Sequence, residues 1–203
     1  MLDDVYTNLN YFLRWLHILA GITWIGLLYF FNFVNPPFQA SLDGELKAKV
    51  NPALLGRALF WFRWGAMFTF LMGLTLLLYK YTVGELWTRA EGGMSDRAMW
   101  ILFGALLGTT MWFNVWFIIW PAQKKILGGL KAGQPHPDAA ALAKRATAAS
   151  KMNTYLSAPM LFAMIAPTHY GTMSVTMLVI VLAVGFGMIK FLYSLAPKVG
   201  QTF

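Results

Sequence analysis

Residues 10–36 read NYFLRWLHILAGITWIGLLYFFNFVNP. The run is long enough to cross a bilayer, which takes roughly 20 apolar residues. It also carries His17 just inside its start, where an imidazole in hydrocarbon is costly unless something uses it. Four further segments have the same character. The apolar stretches cover residues 11–34, 58–81, 98–120, 139–167 and 173–196. The fold expected is an all-α integral membrane protein, a single domain over 1–203 built as a bundle of five transmembrane helices. Asn35-Pro36-Pro37 is expected to stop the first helix, Pro121 the third and Pro197 the fifth. The fourth is expected to start in the interface after Asp138, a helix N-cap type, and to enter the bilayer near Asn153.

Composition agrees. The 203 residues are 58% hydrophobic and 12% charged, about half the charge of a soluble domain. The net charge of +8 therefore argues for loop placement, not nucleic acid. There is no cysteine, which excludes disulfides, iron–sulfur clusters and covalent haem attachment. No signal peptide is expected, because Asp3 and Asp4 precede an apolar run too long for one. Lys124, Lys125, Lys131, Lys144, Arg145 and Lys151 fall in one loop opposed only by Asp138. Lys47, Lys49, Arg57 and Lys198 fall on the same side of five spans. The positive-inside rule then puts the N-terminus outside and the C-terminus in the cytoplasm of a bacterial inner membrane. Tryptophans 61, 64, 116 and 120 mark the inner boundary and 15, 87 and 100 the outer one, whereas Trp24 is expected near mid-bilayer. Gly65, Thr69 and Gly73, and Gly104 with Gly108, mark faces for close helix approach.

Of three histidines, His136 reads as a solvated loop residue. His17 and His169 are both expected in the outer leaflet. Ala20, Gly21 and Trp24 share the face of His17. Small residues one turn from a histidine leave room for a flat ring, and b-type haem needs axial imidazoles without cysteine. The candidate cofactor site is therefore His17 and His169 as haem-iron ligands, Gly21 and Trp24 beside the ring, and Arg14 toward a propionate. The competing reading makes His17 an interhelical hydrogen-bonding residue. No acidic residue lies within an expected span, which excludes a carboxylate relay, and no nucleotide-binding or HExxH pattern is present. Asn114 is expected to hydrogen-bond between helices.

The stretches RWLHILAGITWIG, YFFNFVN, FWFRWGAMFTFLMGLTLLLY, MWFNVWFIIWPAQKKIL and NTYLSAPMLFAMIAPTHY resemble, in order, the membrane-embedded N-terminal domain of the membrane-bound, cytochrome c-linked urate oxidases. The resemblance falls on His17, Gly21, Trp24, Asn114, Asn153, Tyr155, Pro159 and His169. It implies a haem c domain elsewhere in such proteins, but this chain has no CxxCH. It also implies a histidine-rich first loop, where this chain reads QASLDGELKAKVNPALLG, and histidine and glutamate where Phe60 and Gly65 stand. Three functions are weighed on this basis. The first is a b-type haem electron-transfer subunit with catalytic residues none, facing a periplasmic cytochrome c. The second is a non-catalytic accessory subunit of a larger membrane complex. Urate oxidation itself comes third. The expected surroundings are membrane lipid and other membrane-complex subunits.

Overall fold

The computed structural model describes residues 4–82 and 92–200, the side chains of 80–82 excepted. Seven α-helices follow in order: α1 Val5–Tyr29, α2 Asn35–Ser41, α3 Gly44–Thr82, α4 Asp96–Phe113, α5 Trp120–Lys131, α6 Ala139–His169 and α7 Val175–Leu195. Widened π-turns, Phe30–Val34 and Asn114–Ile119, fuse α1 to α2 and α4 to α5. The result is five continuous rods. Four are long and apolar enough to cross a membrane: Val5–Ser41, Gly44–Tyr79, Asp96–Lys131 and Val175–Leu195. The fourth segment expected from sequence, now α6, is 31 residues long, but no stretch of it is equally apolar.

The prolines do not end the first and third helices as expected. A proline inside a helix lacks an N–H and its ring collides with the carbonyl four residues back. Here the residue before each proline closes a wider loop. The amide of Asn35, before Pro36, donates to Phe30 O, and that of Trp120, before Pro121, donates to Val115 O, each five residues back. The extra residue moves the preceding carbonyls off the ring, so the helix continues. The second segment likewise begins at Gly44, not at 58, and passes through Pro52. Side chains cap three starts. Asp4 accepts from Tyr6 N–H, Ser95 from Ala98 N–H and Ser174 from Met177 N–H. Asp138 holds the N-cap position of α6 without a side-chain bond. Its own amide donates to His136 Nδ1 at 3.1 Å, so the loop histidine orders this start.

The rods pair as two similar hairpins, α1 against α3 and α4 against α6, with α7 laid on α6. The main core joins Trp24 and Leu28 of α1, Leu59, Phe62 and Ala66 of α3, Met111 of α4, and Met160 of α6. A second core joins Trp100, Ala163, Ala166 and Val181. Trp100 is thus fully buried, against Phe162 and Tyr170, not placed in an outer belt. Trp87 lies outside the described residues. The inner tryptophans do gather, with Trp64 on Trp116 at 5.5 Å. Arg63 sits with Cζ 3.8 Å from the ring centre of Trp120, a cation–π contact.

Candidate functional site

His17 faces α3. Its Nδ1 lies 2.8 Å from Thr69 O, and since a carbonyl only accepts, Nδ1 carries the proton and donates. The neutral ring then keeps its lone pair on Nε2, for which no hydrogen bond is present among the described residues. The ring enters a notch made by the absence of a side chain. A Cβ on Gly73 would stand 2.8 Å from His17 Cε1 and 3.1 Å from Nδ1. The repeat Gly65, Thr69, Gly73 is the floor on which α1 lies.

That floor also approaches the face expected to hold a flat ring. A Cβ on Gly65 would stand 3.1 Å from Trp24 N and 3.4 Å from Ala20 O, and Gly21 faces Thr69 Cγ2. Trp24 is 2% exposed beneath α3, whereas Ala20 and Gly21 are half-buried. Small residues on both helices thus let the backbones come close at Gly65. Arg14 is half-buried and makes no ion pair among the described residues.

His169 closes α6 and is exposed. A hydrogen bond of 2.9 Å between Tyr29 and Ser157 ties α1 to α6. His17 and His169 each lie twelve residues from it in the same direction, about 18 Å along their helices. They stand at about the same level, as expected, but no hydrogen bond or ring contact brings them together.

Sequence reading missed most of a buried polar seam along α6. Asn114 Nδ2 donates to Asn153 Oδ1 at 2.7 Å, and Asn153 Nδ2 to Met111 O at 2.9 Å, as expected for Asn114. Asn32, in the first π-turn, donates to Ser150 Oγ and Leu28 O, both at 2.8 Å, and accepts from Tyr193 Oη at 2.8 Å. Ser157 Oγ donates to Thr154 O. The signal was present: FFNFVNPP and WFNVWFIIWP each set an asparagine between large apolar residues ahead of a proline. The seam holds no acid or histidine, and its amides are satisfied, so its chemistry is interhelical hydrogen bonding. Among the described residues no three of His, Cys, Asp and Glu cluster to hold a metal.

His17 fits the donor pattern of an axial ligand. Metal-bound histidines characteristically give their other N–H to a carbonyl or carboxylate, which fixes the tautomer and aims the free nitrogen.

Among the described residues, fold and seam define an all-helical protein with four helices of membrane-crossing length and apolarity, two of them extended through π-turns that precede prolines and joined to a polar central helix. A family model described as urate oxidase N-terminal matches residues 85–199, more than half of the chain, and the chain belongs to that family. The match includes Asn114, Asn153, Tyr155, Pro159 and His169, and begins beyond His17, Arg14, Gly21 and Trp24. Comparison with curated proteins and with solved structures gave no match.

Proposed function

We propose that this chain is a membrane-embedded b-type haem subunit that passes electrons, with His17 as its axial ligand through Nε2. The observation that supports it is the 2.8 Å bond from His17 Nδ1 to Thr69 O, which leaves Nε2 as the ring's coordinating atom. Haem b supplies reversible one-electron iron chemistry when bound. The chain's own residues hold the imidazole tautomer and orientation. Arg14, one turn outward, balances a propionate charge. His169, at the same level, is the candidate for a second ligand. The setting is a bacterial inner membrane with five spans, α6 included, the N-terminus outside and a periplasmic cytochrome c or another membrane subunit as electron partner. Urate oxidation is not assigned, since Phe60 and Gly65 supply no acid or base.

The test is a reduced-minus-oxidised spectrum of protein purified in mild detergent. A haem b α-band that is lost in His17→Ala, and restored to that variant by added imidazole, is the expected result. Loss of the second ligand in His169→Ala is read as a change from low to high spin. A wild-type protein without haem overturns the reading.

A second reading is favoured by the Gly73 notch and the close approach of Gly65 to the backbone of Ala20 and Trp24. In it the chain is an accessory subunit and His17 a helix lock. Mild-detergent copurification of a stoichiometric partner, with no haem, is its expected outcome.

A further inference from the structure

Two hollows, of about 570 Å³ and 440 Å³, lie along α3, the second where it meets Ala20 and Thr23 of α1. Phe60 and Trp61 line both, so they are stretches of one groove. One end is formed by Pro52, Gly56 and Arg57, the other by Ala20, Gly65 and Phe68. From Pro52 to Phe68 the groove follows α3 for about 24 Å at 1.5 Å per residue. Gly56 leaves the charged end open, since a Cβ there would meet nothing within 4 Å. Phe60 and Trp61 stand up as walls, 45% and 61% exposed.

Charge is confined to one end. Arg57 is exposed, and its Nη1 donates to Ala53 O at 2.8 Å. Among the described residues it has no carboxylate within ion-pair distance, the one such pair being Lys49 with Glu45. The remaining donors of the guanidinium fork therefore carry an uncompensated charge where the apolar run of α3 begins. A positive head position joined to an apolar channel of acyl-chain length is complementary to a single class of molecule. An arginine fork also matches phosphate oxygens in geometry.

We propose that this groove binds one anionic phospholipid, its phosphate on Arg57 and an acyl chain passing Gly56 and lying between Phe60 and Trp61 toward Gly65. Basic positions at the membrane surface attract net-negative headgroups, and Arg57 without an acidic neighbour disfavours the amine of a zwitterionic one. The assignment rests on the membrane-embedded reading and is independent of haem.

Native mass spectrometry of the full chain, released from detergent and titrated with palmitoyl-oleoyl phosphatidylglycerol or phosphatidylcholine, tests it. One phosphatidylglycerol should be retained in preference to phosphatidylcholine. Arg57→Gln should weaken that retention about fivefold, the effect of one basic residue near the surface. Gly56→Phe, which fills the open end, should abolish the preference, whereas Lys198→Gln should leave it unchanged. Tryptophan fluorescence confirms that each variant is folded. Equal retention of the two lipids, or an unchanged titration in both Arg57→Gln and Gly56→Phe, overturns the proposal. Carbonate extraction of the source membranes reads the embedding separately. Release of the chain into the soluble fraction would sink that reading, while loss of lipid preference alone sinks only the groove.

Discussion

Gly73→Ala offers a direct measure of how α1 is held. The added methyl carbon would start 2.8 Å from His17 Cε1, well inside contact distance. The ring can leave only by giving up its bond to Thr69 O. Overpacking of a tight site costs about 1–3 kcal/mol, and an interhelical hydrogen bond in a membrane protein averages about 0.6 kcal/mol. The two costs overlap, because moving the ring relieves the first by incurring the second. Gly73→Ala should thus destabilise the protein by about 0.6–3 kcal/mol, the lower end where the ring swings clear. His17→Ala removes the ring and empties the notch. In that background Gly73→Ala meets no obstruction and should be neutral or stabilising, since alanine is the better helix residue. The double-mutant cycle should show a coupling of about 0.6–3 kcal/mol, in the range for residues in contact. Unfolding by sodium dodecyl sulfate in mixed micelles, followed by tryptophan fluorescence, reads all four proteins. Gly108→Ala is the control, since nothing lies within 4 Å of its added carbon. Additive costs, or a Gly73→Ala protein as stable as wild type, would refute the notch.

Asn153→Leu breaks the bonds to both Asn114 and Met111 O. It should cost about 1–2 kcal/mol in the same unfolding assay, and adding Asn114→Ala should cost little more because the shared bond is already gone. The chain has no cysteine, so single cysteines report topology cleanly. An impermeant thiol reagent applied from the periplasm should label position 92 and not 131, and labelling at 131 would reverse the orientation. Hydrogen bonds from the Thr7 hydroxyl, then from the Thr7 and Tyr6 amides, hold the Asp4 carboxyl below its ordinary value of 3.8. A carboxylate stabilised in this way keeps its cap above the unfolded value and loses it as pH falls through the lowered folded value. Amide exchange in the first turn of α1 should therefore quicken only below pH 3.8. Thr7→Val should move that onset upward, and an unchanged onset would show that the hydroxyl contributes nothing.

Apolar blocks placed the rods well, because length and hydrophobicity are local properties of the chain. Their ends were misplaced at Pro36 and Pro121 for a reason equally local in origin. A π-turn costs one helical register and leaves no composition of its own, so a proline that is tolerated looks like a proline that terminates. The stripe Gly65, Thr69, Gly73 correctly marked a close approach, but the same spacing at Gly108 marks open space. Glycine permits contact without requiring it. For His17 the sequence raised the right question and could not name the partner. That partner is the backbone carbonyl of Thr69, a group every residue possesses. The level shared by His17 and His169 was legible from helix direction alone. Their sideways separation is not, since it depends on which helices are neighbours.

The position of α6 explains why the least apolar of the rods is the central one. Hydropathy measures how well a helix suits lipid, and α6 is packed by α1, α4, α5, α7 and both π-turns. Its Asn153, Thr154 and Ser157 are fully buried. These side chains lower its hydropathy where asparagines or tyrosines of the neighbouring rods come to meet them. Asn32 and Asn114 reach it from the two π-turns, and Tyr29 from the residue just before the first. A π-turn reorients the side chain it carries, which is how two rods that run past prolines can aim an amide at the same helix. An apolar α6 would leave those amides without partners in a dry interior, at a cost of about 1–3 kcal/mol each on mutational scales. The asparagines, the prolines behind them and the polar residues of α6 therefore belong to one device, and none of the three is interpretable without the others.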